Sequence, residues 1–134
     1  MREVDAERFV GATPATLRRL LSPAALVEYE GSFTARGTAE AGDATVVTVA
    51  GGGLEFDLRV TETDDGWHYE QVGDRGPFDA METEVTVEPA NEGSRVRAVS
   101  RVSLGLPLPL VDRIAGWKRR GELRRLLDAV ADDA

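Results

Sequence analysis

The chain has 134 residues, of which 24 are acidic and 16 basic, so its net charge is −8, and it contains no cysteine. This length indicates one domain, residues 1–134. The lack of cysteine excludes disulfides, thiolate catalysis and zinc–thiolate sites. Net acidity with scattered arginines argues against nucleic acid as a partner.

The basic residues are almost all arginine, since Lys118 is the only lysine. Acid excess with little lysine is typical of a surface that stays hydrated at high salt, so we favour a halophilic protein. The alternative is that a GC-rich genome explains the same amino-acid composition. The N-terminus is charged from its second residue and lacks an apolar signal-peptide core. No apolar run approaches the length of a membrane span. We therefore expect a cytoplasmic protein without integral membrane association.

Two proline signals near the N-terminus predict a pair of short helices. Residues 3–12 alternate loosely between apolar and polar types, which predicts a first strand. Thr13-Pro14 and Ser22-Pro23 then each combine an N-cap residue with proline at the first helical position. The two helices are too short to form a domain of their own.

From Ser32 onward the hydrophobic period changes to two, as in antiparallel strands. Turn signals separate six strand-like runs, at residues 32–40, 44–50, 54–62, 67–72, 78–89 and 94–104. Short connections between them predict hairpins. One face of the run at 54–62 is apolar and predicts a half-buried strand, with Leu54, Phe56, Leu58 and Val60 on the buried side.

The last stretch, from Leu106 to Ala134, predicts a long helix with two conflicting apolar faces. Its second half has one compact stripe, formed by Leu123, Leu126, Leu127 and Val130. Toward the N-terminus this stripe continues through Arg119, Gly116 and Asp112. On the opposite side of the helix lie Leu110, Ile114 and Trp117. One straight helix cannot bury both sets against one sheet.

Three explanations of this conflict remain open. The helix bends or breaks near Gly116 or Gly121, or it is straight and points Asp112 and Arg119 into the interior. In the third explanation Leu110, Ile114 and Trp117 form an exposed patch that docks a second subunit, giving a homodimer, or another partner or a membrane surface. We favour a break or a patch, because incomplete pairing of a buried Asp112 and Arg119 would be costly.

The order strand, two short helices, six strands and long helix resembles the polyketide cyclase/dehydrase and lipid-transport-like branch of the START-like (SRPBCC) superfamily. The Gly76-Pro77-Phe78 segment and the prolines Pro107 and Pro109 before the last helix add to the resemblance. It implies an α+β helix-grip fold, in which a curved seven-stranded antiparallel sheet wraps the C-terminal helix around an apolar cavity. Members bind lipids, sterols, polyketides or aromatic compounds, and some catalyse cyclisation or dehydration.

For such a fold we predict a ligand-binding wall between sheet and helix. Tyr29, at the end of the second short helix, is a candidate gate residue. The predicted wall consists of Phe56, Leu58, Trp67, Tyr69, Phe78, Ser100, Val102 and Gly116. The chain has one histidine and no cluster with metal-ligand spacing, so we predict no metal and no cofactor.

Acid–base chemistry depends on which face of the 67–72 strand lines the cavity. His68 and Glu70 face opposite to Trp67 and Tyr69, and aromatic side chains favour the buried side. We therefore expect His68 and Glu70 to face outward, whereas the reverse phase would make them an acid–base pair in the cavity. The weak catalytic candidates are His68, Glu70, Tyr69 and Asp112, with Glu84 as a further carboxylate.

These observations leave three functional hypotheses. We prefer a binder of a small hydrophobic molecule, such as a lipid, polyketide or aromatic compound. The first alternative is a cyclase/dehydratase-type enzyme, which requires an acid–base group inside the cavity. The second is a protein-interaction or dimerisation module that uses Leu110, Ile114 and Trp117.

Overall fold

The computed structural model describes residues 1–105 and 109–134. The elements follow the predicted order, strand, two helices, six strands and one long helix. Their bounds are β1 Arg2–Val10, α1 Pro14–Leu20, α2 Pro23–Tyr29, β2 Thr34–Ala41, β3 Ala44–Gly51, β4 Leu54–Thr63, β5 Gly66–Val72, β6 Ala80–Ala90, β7 Gly93–Ser103 and α3 Pro109–Asp133. Of the predicted helical stretch, Leu106, Pro107 and Leu108 lie outside the described residues.

All seven strands form one curved antiparallel sheet in the order β1-β7-β6-β5-β4-β3-β2. Strands β2 to β7 are a meander, and β1 pairs with β7, the last strand of the chain. The turn between β3 and β4 places Gly52 and Gly53 at φ +59° and +82°, where a residue without a Cβ is not strained. The predicted α+β fold with its seven-stranded sheet is confirmed.

The two short helices begin where the proline signals predict. Thr13 Oγ1 accepts the N–H of Thr16 at 3.3 Å, and Ser22 Oγ accepts the N–H of Ala25 at 3.2 Å. Each cap satisfies a backbone donor that has no partner inside its own helix. The pair carries the chain from β1 at one edge of the sheet to β2 at the other.

Helix α3 packs mainly against β1, β7 and α2. Its predicted stripe of Leu123, Leu126, Leu127 and Val130 is buried. At Gly116 the helix approaches β1 closely, because an added Cβ would lie 2.6 Å from Arg2 Cγ and 3.3 Å from Val4 Cγ1. The concave face of the sheet and this side of α3 thus enclose the core.

One of the open explanations for the helix, a break, and one expectation for the sheet were wrong. Helix α3 runs without a break from Pro109 to Asp133, so neither Gly116 nor Gly121 interrupts it. Glycine costs only about 1 kcal/mol in a helix interior, which tertiary packing readily offsets. Leu54, predicted on the buried side of β4, is 38% exposed, because it is the first residue of its strand and lies next to the turn.

Candidate functional site

A small cavity lies between the sheet, the end of α2 and the middle of α3. Its volume is about 20 Å³, which is room for a single water molecule. Apolar side chains form most of the wall and charged side chains form one end. The lining residues are Val27, Glu30, Phe33, Phe56, Leu58, Gln71, Pro77, Phe78, Met81, Arg119 and Glu122.

Three phenylalanines form the apolar part of this wall. Phe33 and Phe56 meet edge to face, with ring centroids 4.9 Å apart and an interplanar angle of 89°, a favoured aromatic geometry. Phe56 is buried, whereas Phe33 and Phe78 are only partly buried. The aromatic wall therefore extends from the core to the surface.

One side of the cavity is closed by the connection between β5 and β6, residues 73–79. Gln71 Nε2 donates to the carbonyl of Phe78 at 2.6 Å, and the N–H of Phe78 donates to Gln71 Oε1 at 3.3 Å. A Cβ at Gly76 would overlap the amide of Gln71, so the glycine lets that amide reach the segment. The Gly76-Pro77-Phe78 motif thus holds Phe78 against the cavity.

The charged end of the cavity is built around Arg119, which is 1% exposed. Its Nη1 lies 2.5 Å from Glu30 Oε1 and its Nη2 lies 2.8 Å from Glu30 Oε2, a two-point ion pair. Nη1 also donates to Glu122 Oε1 at 3.2 Å. Both glutamates are themselves buried.

Three hydroxyl groups complete the shell around this guanidinium. Arg119 Nε donates to Ser100 Oγ at 3.0 Å, and Nη2 donates to Thr83 Oγ1 at 2.8 Å and to Tyr69 Oη at 3.3 Å. Tyr69 donates its hydroxyl hydrogen to Glu30 Oε2. Every nitrogen of the Arg119 guanidinium therefore has a hydrogen-bond partner, as burial of a charged group requires.

A second arginine, nearer the surface, forms hydrogen bonds at the edge of this buried cluster. Arg125 donates through Nε to the Glu30 carbonyl at 2.8 Å and through Nη2 to Ser32 Oγ at 3.3 Å. Ser32 in turn donates to Glu122. Arg125 thus contacts the cluster through a backbone carbonyl and a hydroxyl, and Arg119 alone is ion-paired with the two carboxylates.

The buried cluster fixes the protonation of two of its members. Burial and the negative charge of Glu30 raise the pKa of Tyr69 well above its ordinary value, so its phenol stays protonated at neutral pH. Burial lowers the pKa of Arg119, but the charges of Glu30 and Glu122 and the hydrogen bonds to Glu30 outweigh this and raise the pKa above its ordinary value. Tyr69 is a hydrogen-bond donor here, and Arg119 is a permanent cation.

Our preference against a charged interior was wrong for Arg119. That preference considered only Asp112 as an ion-pair partner for Arg119. In the structure the partners are Glu30 and Glu122, and both pair with the Arg119 guanidinium. Asp112 lies at the start of α3, where it accepts the Leu104 N–H at 3.1 Å and is 3.3 Å from the N-terminal ammonium. The hydrogen bond from Leu104, followed by the ammonium, lowers the pKa of Asp112 although partial burial opposes it.

The other predicted wall residues fall into three groups. Phe56, Leu58 and Phe78 line the cavity, while Tyr69 and Ser100 supply hydroxyls to the charged cluster. Trp67 and Val102 are buried in the core without lining the cavity. The space beside Gly116 is filled by β1. Tyr29 donates its hydroxyl to Asp133 Oδ2 at 2.7 Å, at the end of α3 and away from the cavity lining.

None of the predicted acid–base residues lines the cavity, and only Tyr69 belongs to the charged cluster at its end. His68 is partly exposed on the outer face of the sheet, with its Nε2 at 3.4 Å from Glu82 Oε2. Glu70 lies on the same face and Glu84 is exposed. Within residues 1–105 and 109–134, no group of three or more His, Asp or Glu side chains is placed to hold a metal ion. The helices described there include none long and apolar enough to cross a membrane.

Sequence patterns had not indicated several of the site residues, among them Glu30, Phe33, Met81, Thr83 and Glu122. Glu122 is three residues from Arg119 on one helix and is a detectable partner by spacing. Glu30 is 89 residues away from Arg119 in the chain. Only the tertiary structure brings those two together.

Comparison with known proteins identifies the fold. No protein-family model matches the chain, and no curated protein matches its sequence. Among solved structures, TTHA0849 from Thermus thermophilus is similar at 21% identity and a TM-score of 0.68, over 99% of each chain. A START superfamily protein from Mycobacterium smegmatis has 16% identity and a TM-score of 0.65, over 98% of this chain and 99% of the other.

A third similar structure is the di-domain ARO/CYC protein BexL from the BE-7585A biosynthetic pathway. It has 22% identity and a TM-score of 0.69, over 94% of this chain and 45% of BexL. At these identities the similarity concerns the fold. The element order, the curved sheet and the long C-terminal helix agree with it. The chain therefore has the START-like fold.

Proposed function

We propose that the chain binds a small, predominantly apolar molecule in the cavity between the sheet and α3. The observation that carries this proposal is the aromatic wall of Phe33, Phe56 and Phe78, which runs from the core to the surface. Ligand sites are typically concave, mostly apolar and supplied with a few polar groups. The similar solved structures, which include a START superfamily protein and an ARO/CYC protein, support a ligand-binding fold in general.

Binding requires the closed side of the cavity to move. A cavity of about 20 Å³ is too small for a lipid or an aromatic ring. The movable part is the 73–79 connection, which has no helix or strand and carries the partly buried Phe78. Outward displacement of Phe78 would open space beside the Phe33–Phe56 pair, at the expense of the two Gln71 hydrogen bonds.

The charged end of the cavity favours a neutral ligand. Each guanidinium nitrogen of Arg119 already has an acceptor, and Glu122 accepts hydrogen bonds from both Arg119 and Ser32. A charged ligand group would have to displace one of these bonds, leaving a buried polar atom unpaired at a cost of about 1–3 kcal/mol. A neutral aromatic or aliphatic compound, with at most one hydroxyl or carbonyl group, fits best.

The same saturation makes binding a better hypothesis than acid–base catalysis. A general acid or base must have a proton or lone pair available to the substrate. His68, Glu70, Asp112 and Glu84 lie outside the cavity, and the raised pKa of Tyr69 keeps its proton on the Glu30 hydrogen bond.

Titration with a neutral aromatic probe tests the proposal. We expect 2-naphthol to shift the amide NMR signals of Gln71, Phe78 and Phe33 in ¹⁵N-labelled protein. A Phe56→Trp variant, which fills the cavity, should weaken binding by at least about ten-fold. The matched control is Phe9→Trp, at a phenylalanine that is 47% exposed on β1, and it should bind as the wild type does.

The proposal fails if neither 2-naphthol nor a set of neutral lipids and aromatic compounds shifts signals around the cavity. It also fails if Phe56→Trp and Phe9→Trp bind the probe equally well. Circular dichroism of both variants establishes that a loss of binding is not a loss of folding.

A further inference from the structure

The outer face of α3 combines exposed apolar residues with unpaired cations. Leu110, Ile114 and Trp117 are 64%, 58% and 79% exposed. They lie at positions i, i+4 and i+7 of one helix, so they form a continuous stripe on the side opposite the core. Trp117 is the most exposed of the large apolar residues described.

Five cations lie on or beside this stripe. Arg113 and Arg120 lie on one flank, Lys118 lies on the other, and Arg124 and Arg125 follow within two turns. In the part of the chain that the structure describes, none of the five is within ion-pair distance of a carboxylate. Four arginines of β1 and β7, by contrast, form ion pairs: Arg8, Arg95, Arg97 and Arg101.

The charge of residues 109–125 is opposite to that of the rest of the chain, and the whole of α3, which adds Asp128, Asp132 and Asp133, carries +1. Residues 109–125 contain six basic and two acidic residues, a net charge of +4, in a chain with a total of −8. The remaining residues therefore carry −12. Asp128, on the outer face toward the C-terminal end of α3, is paired with Arg8, and Asp112, on the core side, is paired with the N-terminal ammonium.

Four of these cations surround a shallow groove beside Trp117. Its volume is about 410 Å³, and it is open where Gly121 has no side chain. The groove is lined by Trp117, Lys118, Arg120, Gly121, Arg124 and Arg125. Four cations around one opening attract an anionic oxygen group such as a phosphate.

We propose that the outer face of α3 docks on an anionic lipid surface. An apolar stripe with a tryptophan, flanked by basic residues, is the arrangement that places a helix in the interface plane of a bilayer. The three apolar side chains enter the lipid boundary, and the cations contact the phosphates around them. Because the rest of the chain is acidic and is repelled, only this orientation is favourable within a Debye length of about 8–10 Å.

A second copy of the chain fits this face less well. A two-fold dimer through Leu110, Ile114 and Trp117 would place the same surface against itself. The five cations of one copy would then face the five cations of the other, and such juxtaposition of like charges opposes association. A bilayer is fluid and does not need a surface complementary in shape to the helix, so a single exposed apolar stripe is sufficient for docking.

Vesicle co-sedimentation of the full chain tests the proposal. We expect binding to vesicles of phosphatidylcholine with phosphatidylglycerol, little binding to phosphatidylcholine alone, and quenching of Trp117 fluorescence by brominated lipid. An Ile114→Ala/Trp117→Ala variant should bind at least about ten-fold more weakly. Lys118→Glu/Arg124→Glu should lose at least about five-fold per cation.

Two control variants match these changes in residue type. Phe9→Ala removes an exposed aromatic residue from β1, and Arg36→Glu/Arg59→Glu reverses two exposed cations on β2 and β4. Both should retain the vesicle binding of the wild type. Thermal unfolding of all four variants shows whether each remains folded.

Several outcomes would overturn the proposal. Equal binding to neutral and anionic vesicles, or none to either, would contradict it, as would an equal effect of control and test variants. Light scattering that shows a dimer, lost in Ile114→Ala/Trp117→Ala, would assign the face to a second copy instead. Displacement from vesicles by inorganic phosphate, but not by chloride of equal ionic strength, would indicate a soluble-anion site.

Discussion

Replacement of Arg119 tests the structural account of the charged cluster. In Arg119→Met the apolar stem of the side chain is kept, but Glu30 and Glu122 lose their buried cation. Loss of one partner from a buried ion pair costs about 3–5 kcal/mol. The hydrogen bonds to Tyr69, Thr83 and Ser100 belong to the same network, so their loss is included in this range and is not additive. We therefore expect Arg119→Met to lower the free energy of unfolding by about 3–5 kcal/mol.

Urea unfolding followed by circular dichroism measures this change. A domain has a total stability of about 5–15 kcal/mol, so the variant should lose at least about a fifth of it, and its Tm should fall by roughly 10–20 °C. The matched control is Arg124→Met, which is the same substitution at an exposed position of the same helix. It should change the stability by less than about 0.5 kcal/mol.

A compensated variant separates lost charge balance from lost volume. Glu30→Gln with Glu122→Gln in the Arg119→Met background removes the buried negative charges, so it should recover part of the lost stability. Equal effects of Arg119→Met and Arg124→Met would refute the account of a buried ion-paired cluster. A compensated variant less stable than Arg119→Met alone would refute the assignment of the cost to unpaired carboxylates.

Two further predictions concern Tyr69 and Gln71. The folded-state pKa of Tyr69 lies above its unfolded value of about 10, so its contribution to stability is complete below about pH 10 and is lost as the pH rises from there toward the folded-state pKa. In that pH range the free energy of unfolding, measured in urea, should fall more steeply with pH for the wild type than for Tyr69→Phe. The difference in slope is up to about 1.4 kcal/mol per pH unit. Parallel curves for the two proteins would contradict this. Gln71→Ala should remove the two hydrogen bonds to Phe78 and speed hydrogen exchange of the Phe78 backbone amide by about ten-fold. Glu70→Ala on the outer face is the control and should leave that rate unchanged. Equal rates in both variants would count against the closing role of Gln71.

Local patterns in the sequence predicted most of the fold. Thr13-Pro14 and Ser22-Pro23 specify helix starts by local hydrogen bonds, which do not depend on the rest of the chain. The period-two runs specify strands because one face of the sheet is buried. The aromatic alternation in β5 correctly places Trp67 and Tyr69 inside.

The charged cluster could not be predicted in this way. Glu30 follows a short helix, and nothing in its local pattern distinguishes it from a solvated glutamate. Its burial depends on Arg119, which lies 89 residues further along the chain. The energetic argument against a buried arginine was sound for an unpaired charge and failed because two carboxylates were available.

The first half of α3 shows how two alternatives can hold together. Periodicity presented a charged interior and an exposed patch as competing explanations. In the structure Arg119 is buried, and Leu110, Ile114 and Trp117 are exposed on the same unbroken helix. A paired arginine occupies the core side, so the apolar residues on the other side remain free to contact a partner. The size of the cavity depends on how the side chains of distant elements pack, which periodicity does not encode.

The most direct test of the central claim is an NMR measurement of contacts between a bound neutral aromatic probe and the protein. We predict nuclear Overhauser effects from 2-naphthol to the Met81 methyl group, the Leu58 methyl groups and the Phe33 ring, together with a changed environment of Phe78. Contacts confined to Ile114 and Trp117 on the outer face of α3, or no contacts at all, would contradict a ligand site between the sheet and the helix.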